Sequence, residues 1–451
     1  MQTIFGTDGI RGKYNKEITY NLACKVGYAF GNQIKSRKPI LIGRDTRTSG
    51  CSLMDGLITG INAANKEAID IGICPTPAIP CLVKKLILSG GIMISASHNP
   101  PEYNGIKIFN MNGKKISLKL ENSLEKDIKQ INDHFFLNKI KTKFSEKGDL
   151  LEVYEQTLLN SVGDINLNGM KIVLDNCYGS ATSCAEKIFK KLGAEVFSIN
   201  NIANGSKINV KCGSTFLYPL KQAVNEYQAD MGFSFDGDAD RVIGVDSIGN
   251  VMDGDHILFL WGKELLAEKK LVNNLLVSTV MANLGFENYW NKLGGNLFRT
   301  EVGDKFIYEE ISRQNGQLGG EQSGHILSNI NDYCGDGILT AIQISKYCKR
   351  KQINLNQWLQ TSFSPFPQQL TNLFLPFKIK KLDQSLKCSI DEIIRTTLDK
   401  ASDPCRIHVR PSGTEPLLRI LVEAENKDLV KDYSKIMTEE LEKIIKTEMN
   451  Y

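Results

Sequence analysis

Short runs of β-branched and other apolar residues alternate along most of the chain with segments whose apolar positions recur at helical spacing, and Gly-rich turns join them. The pattern predicts strands at Pro39–Gly43 and Gly91–Ser95, with a helix over Cys51–Ala64. It restarts at Lys171–Asp175, followed by a helix near Cys184–Leu192 and strands at Met231–Phe235 and Leu275–Thr279. Apolar strands interleaved with helices suit mainly parallel sheets covered on both faces. Pro365 and Pro367 break any regular element in Ser362–Gln369, and beyond them the pattern changes. Leu370–Ile379 and Leu417–Ala424 read as strands and Lys427–Lys446 as an amphipathic helix. The expected fold class is α/β, with three α/β domains built on mixed or parallel sheets plus a C-terminal α+β domain. The boundaries are expected at 1–148, 149–247, 248–363 and 364–451.

A length of 451 residues is too great for one core and agrees with three or four domains. The 55 Lys and Arg against 51 Asp and Glu leave a formal charge of +4, too small for a bulk nucleic-acid binder. No apolar stretch is long enough to span a membrane, and Asp8 and Arg11 interrupt the place where an export signal would build its apolar region. A cytoplasmic protein without nucleic-acid or membrane partners is expected. Eleven cysteines without a Cys-x-x-Cys pair argue against a disulfide framework or a structural zinc site.

Polar clusters follow apolar strands, where open α/β sheets place their ligands. Ser95-Ala96-Ser97-His98-Asn99-Pro100, with Lys107 beyond, presents hydroxyls, an imidazole and a lysine; a serine there can be a nucleophile or a phosphate carrier. Asp236-Gly237-Asp238-Ala239-Asp240-Arg241 sets three carboxylates in one tight loop, which repel unless a hard cation joins them. The loop is not an EF-hand, because Arg241 stands where Gly is needed and Ser247 where Glu is needed; a three-carboxylate Mg²⁺ loop fits better. Gly319–His325 offers Glu321 and Ser323 to sugar hydroxyls or an amine. Arg410-Pro411-Ser412-Gly413-Thr414, with Arg419 downstream, can wrap a phosphate dianion. Neither a P-loop nor a Gly-x-Gly-x-x-Gly fingerprint occurs, which disfavours a nucleotide kinase or a dinucleotide dehydrogenase.

In this order and spacing, and together with Phe5–Gly12, the clusters resemble the α-D-phosphohexomutase superfamily over essentially the whole chain. The resemblance implies three related α/β domains and a fourth α+β domain around a central cleft. It implies that Ser97 carries phosphate and takes part in metal binding, and that Asp236, Asp238 and Asp240 bind one Mg²⁺. Arg11, His98, Lys107, Arg241 and His325 inherit cleft positions, with Lys107 and His325 as proton-handling groups. Glu321 and Ser323 inherit sugar selection, and Arg410, Ser412, Gly413, Thr414 and Arg419 the non-reacting phosphate. Gln322 and the Arg299–Lys305 stretch are similar to the glucosamine-handling members. The implied reaction interconverts glucosamine 6-phosphate and glucosamine 1-phosphate through a phosphoserine enzyme and a 1,6-bisphosphate, feeding UDP-N-acetylglucosamine and cell-wall precursors. Pro101–Gly105 looks more like phosphomannomutase/phosphoglucomutase members, and that activity is the alternative. The implied partner is a phosphosugar, and the resemblance allows a homodimer.

Overall fold

The computed structural model describes residues 4–6, 8–136, 144–375, 382, 384–399, 404–412 and 416–448. They form two compact units. The first spans Met1–Thr279 and Thr300–Ser362; the second spans Val280–Arg299 and Phe363–Tyr451.

The first unit is organised on three sheets. In the N-terminal sheet the strands run in the order Ile10–Lys13, Tyr103–Asn110, Gly90–Ile94, Ile40–Arg44, Ala68–Ile73, Phe144–Glu146. The last four are parallel, while Tyr103–Asn110 runs antiparallel to both of its neighbours. Ile40, Leu41, Ile42, Ile92, Met93 and Ile94 are fully buried, as expected for strands covered on both faces. Helices Tyr20–Gln33 and Gly50–Ala63 cover one face almost backbone to backbone. A Cβ on Gly60 would stand 2.0 Å from the Cys24 carbonyl oxygen, so only glycine permits this approach.

The second sheet has the order Val251–Met252, Val242–Asp246, Met231–Phe235, Lys171–Asp175, Glu195–Ile199. Its acidic turn at Asp246–Asn250 is a hairpin, with Asp246 accepting from the Ile248 and Asn250 amides. The third sheet pairs Leu275–Thr279 in parallel with Leu318–Gly320, which pairs antiparallel with Ile326–Ser328. The fold class is thus α/β with mixed sheets, because each sheet adds antiparallel strands to a parallel centre.

The second unit contains the antiparallel sheet Gln368–Phe374, Leu417–Ala424, Cys405–Pro411, with the middle strand fully apolar on its core face. Helices Gln384–Leu398 and Lys427–Glu448 pack on it through Leu386, Ile390, Met437 and Leu441. The expected strand Leu370–Ile379 begins earlier, at Gln368; its residues 376–379 lie outside the described residues. All eleven cysteines are free thiols. Among the described residues no helix is long and apolar enough to cross a membrane.

Helix Gly337–Lys351 starts on Asp336, whose carboxylate accepts from Leu339 N at 2.9 Å and from the Tyr154 hydroxyl at 2.9 Å. Burial pushes the Asp336 carboxyl up to about 7, against the opposing pull of those two hydrogen bonds. The folded protein therefore holds a proton that the unfolded chain, with an ordinary aspartate near 3.8, releases. Stability from this group is full below about pH 4 and declines as pH rises toward 7, by up to ~1.4 kcal/mol per unit. Asp336→Asn keeps an acceptor for the cap and removes the charge. Urea denaturation at pH 5 and pH 8 should show a smaller pH difference in this variant than in the parent; an undiminished difference would place the titration elsewhere.

Candidate active site

The strand Gly90–Ile94 delivers Ser95 and Ser97 into the interior, both fully buried. Ser97 has φ +52°, a left-handed conformation that a non-glycine residue keeps only when its surroundings hold it. The holding groups come from another loop. Arg47, 1% exposed, donates from Nη2 to the carbonyls of Ser97 at 2.9 Å and Asn99 at 2.8 Å. From Nη1 it donates to Tyr103 O at 2.8 Å and to Pro100 O. Its Nε pairs with Asp45 at 2.9 Å, and the same Asp45 oxygen accepts from Ser95 Oγ at 2.8 Å. Ser95 Oγ in turn accepts from Ser97 N. Asn209, from the middle of the first unit, donates to the same two carbonyls of Ser97 and Asn99 at 2.8 and 2.9 Å.

The strand Met231–Phe235 delivers the acidic loop. A Cβ on Gly237 would stand 2.7 Å from Ser97 O, so glycine lets the two loops touch. Ser97 Oγ donates to Asp236 Oδ2 at 2.6 Å. Asp236, Asp238 and Asp240 are all buried and offer one ligand atom each within 4.8 Å of one another. Lys107 Nζ joins Asp238 at 2.8 Å, Asp240 at 2.7 Å and Asp8 at 3.1 Å. The remaining Oδ1 atoms of Asp238 and Asp240 are buried with no hydrogen-bond donor among the described residues. Buried carboxylate oxygens without donors are costly, and this donor set suits a hard cation.

Electrostatics here are set by burial and by mutual charge. Burial, reinforced by Asp240 and Asp238, holds the Asp236 carboxyl well above the usual carboxylate range. Burial would also raise Asp240, but Lys107 and His325 outweigh it and hold Asp240 low. Desolvation opposes the Lys107 charge, yet Asp238, Asp240 and Asp8 keep this ammonium protonated far above its usual range. His98, with Nδ1 3.3 Å from Ser97 Oγ, is lowered to about 4 by burial and by the Arg241 and Arg11 charges. His325, 5% exposed, lies 3.6 Å from Asp240 and 3.5 Å from Asp304; these carboxylates overcome its burial and raise it. Arg11 reaches Asp8 and the Ala96 carbonyl.

The loop after Leu318–Gly320 is closed by Glu321 N donating to His325 O at 3.0 Å, and it meets the end of the acidic loop where Val242 N donates to Gly324 O at 3.1 Å. Ser323 Oγ lies 3.4 Å from Glu321 Oε2. The first unit therefore brings together Arg11, Ser97, His98, Lys107, Asp236, Asp238, Asp240, Arg241, Glu321, Ser323 and His325. In the second unit the antiparallel register sets Arg410 directly opposite Arg419, and buried Ser412 donates its N–H to Leu417 O at 2.8 Å. Like charges directly opposite repel. Gly413 and Thr414 lie outside the described residues.

Sequence reasoning missed Asp45, Arg47 and Asn209, and it assigned no part to Asp8, Lys115 or Asp304, which form one chain of ion pairs beside Lys107. One signal was present. Gly43-Arg44-Asp45-Thr46-Arg47 is another polar turn directly after an apolar strand.

These loops, on this succession of sheets, are those of a phosphosugar mutase fold, and family models agree along the chain. Phosphoglucomutase/phosphomannomutase α/β/α domain I matches residues 2–134, domain II 152–249, domain III 253–366 and the C-terminal domain 392–440. The chain belongs to this family, within the α-D-phosphohexomutase superfamily. It is 63% identical, over 98% of each chain, to the phosphoglucosamine mutase of Prochlorococcus marinus subsp. pastoris (strain CCMP1986 / NIES-2087 / MED4). It is 60% identical, over the full length of both, to the phosphoglucosamine mutase of Prochlorococcus marinus (strain MIT 9515). A solved phosphoglucomutase/phosphomannomutase family protein from Burkholderia thailandensis shares the fold, with a TM-score of 0.81 at 23% identity over 98% of this chain and 97% of that one.

The Arg47 contacts make a specific demand on stability. Arg47→Met strands Asp45 as a buried unpaired charge and should cost about 3–5 kcal/mol in urea denaturation. Arg47→Lys retains a charge but loses the fork of donors, and should fall between. If Arg47→Lys proved as stable as the parent, charge alone would account for the site.

Proposed function

We propose that the chain interconverts glucosamine 6-phosphate and glucosamine 1-phosphate, with Ser97 as the phosphate carrier and glucosamine 1,6-bisphosphate as the intermediate. The chemistry rests on one observation above all: a buried serine hydroxyl 2.6 Å from Asp236, inside a cluster of three carboxylates and a lysine. The amino sugar rests on the relatives named phosphoglucosamine mutase, 58–63% identical over nearly the whole chain. They favour this reading over glucose or mannose phosphates.

In the proposed cycle phosphorylated Ser97 faces the free hydroxyl of a bound sugar monophosphate. The sugar oxygen forms the new P–O bond and its proton leaves to a neighbouring base, while the bond to Ser97 Oγ breaks and that oxygen takes up a proton from a neighbouring acid. The bisphosphate reorients, and its other phosphate returns to Ser97 by the same step in reverse. Asp236, Asp238 and Asp240, with the phosphate on Ser97, would hold one Mg²⁺, which offsets charge on the transferring group and orients it. Lys107, tied to Asp238 and Asp240, is a protonated ammonium beside that group, able to offset charge and to donate a proton. Lys107 and His325 are the proton-handling residues of this reading, with Asp304 and Asp240 setting the His325 ring. Arg11, His98 and Arg241 complete the lining. Glu321 and Ser323 select the sugar. Arg410, Ser412, Gly413, Thr414 and Arg419 hold the phosphate that is not reacting. The four domains of the reading are 1–148, 149–247, 248–363 and 364–451, and cytoplasmic location and homodimerisation belong to it as well.

Ser97→Ala should abolish turnover and remove the mass of one phosphate from the peptide that carries Ser97. Phosphate found on Ser95 instead would move the carrier. The ratio of kcat/KM on glucosamine, glucose and mannose 6-phosphates should favour the first; preference for mannose 6-phosphate would replace the sugar assignment. MgCl₂ should raise the melting temperature of the parent and leave Asp238→Asn almost unmoved. Equal shifts in both would remove the metal from the three aspartates.

A further inference from the structure

The first unit holds a second polar cavity, of about 430 Å³, framed by helices Gly254–Ala267 and Gly337–Lys351 and lined by none of the loops described above for Ser97, the acidic cluster or His325. That volume falls within the range of small-molecule sites. Its walls carry Lys270, Lys346 and Arg350 against the one carboxylate of Glu268, an excess of two positive charges. Glu268 is already engaged, by Lys270 at 2.7 Å and by Arg350 at 2.5 Å. Lys346 has no hydrogen bond or ion pair among the described residues. Burial and the nearby Arg350 charge lower the Lys346 ammonium, against the weaker opposing pull of Glu268.

A second observation is independent of charge. Gln343 lines the same cavity, is 2% exposed, and its Nε2 is buried with no acceptor among the described residues. A carboxamide sequestered in this way is costly unless a partner completes its hydrogen bonds. Tyr347 and Trp261 add aromatic surface, and the Arg350 guanidinium lies 5.2 Å from the Tyr347 ring.

We propose that this cavity binds a small phosphate ester bearing a ring, of about mononucleotide size, at a site separate from Ser97. A phosphate monoester carries about −1.5 to −2 charges near neutral pH, which matches the excess of two. Its oxygens suit Lys346 and the Gln343 amide, and its ring suits the aromatic wall. The cavity is too large to be filled by a bare phosphate ion.

Calorimetric titration of the full chain with each of the four ribonucleoside monophosphates and with inorganic phosphate tests this. At least one nucleoside monophosphate should bind with one-site stoichiometry and more tightly than inorganic phosphate. Lys346→Met should weaken it at least tenfold, and Gln343→Leu should weaken it to a lesser degree, with turnover in the absence of the probe unchanged in both. Absence of binding by all four at millimolar concentration would overturn the proposal. So would binding that is untouched by both substitutions, or binding of inorganic phosphate alone.

Discussion

Three carboxylates held within 4.8 Å of one another and away from water repel strongly, and the first unit is arranged around making that arrangement tolerable. Lys107 is the principal answer in the protein itself. Its single ammonium is shared among Asp238, Asp240 and Asp8, each at 3.1 Å or closer. Asp8 then has Lys115 and Arg11 as further partners, and Lys115 reaches Asp304, which faces His325. Alternating charges thus run from the acidic loop outward. Among the described residues two carboxylate oxygens at the centre still lack a donor, and such a donor set suits a hard cation.

The serine loop shows the same economy in backbone terms. Ser97 sits in a left-handed conformation that a non-glycine residue does not favour, at a cost on the order of 1–3 kcal/mol. Arg47 and Asn209 converge on the carbonyls of Ser97 and Asn99, so the strained segment is over-determined by donors from two separate parts of the chain. The backbone that carries this hydroxyl toward Asp236 is consequently held in place from two sides.

Much of the fold was legible because its strands are short, apolar and punctuated. Lys171–Asp175, Met231–Phe235, Leu275–Thr279 and Leu417–Ala424 stand where the pattern puts them. Burial on both faces leaves such a segment little compositional freedom. The antiparallel strands were harder to see. Tyr103–Asn110 directly follows a reactive-looking loop and contains Asn104, Gly105 and Lys107, so chemistry masks its period. Arg47 escaped notice because a single arginine in a turn looks solvent-exposed, and only the packed structure shows it 1% exposed with both Nη atoms aimed at carbonyls and Nε at Asp45.

By itself the sequence determined which chemical groups are available: a serine after one apolar strand, three spaced aspartates after another, and a glutamate, a serine and a histidine after a third. Strand-end placement is local, because a two-residue side-chain period and a following turn need only neighbours along the chain. Tertiary structure alone decided which of them meet, since Ser97 and Asp236 are separated by 139 residues and Lys107 and Asp240 by 133. It also decided the charge state each group adopts, because burial and the distance to Lys107, not residue type, separate a raised Asp236 from a lowered Asp240.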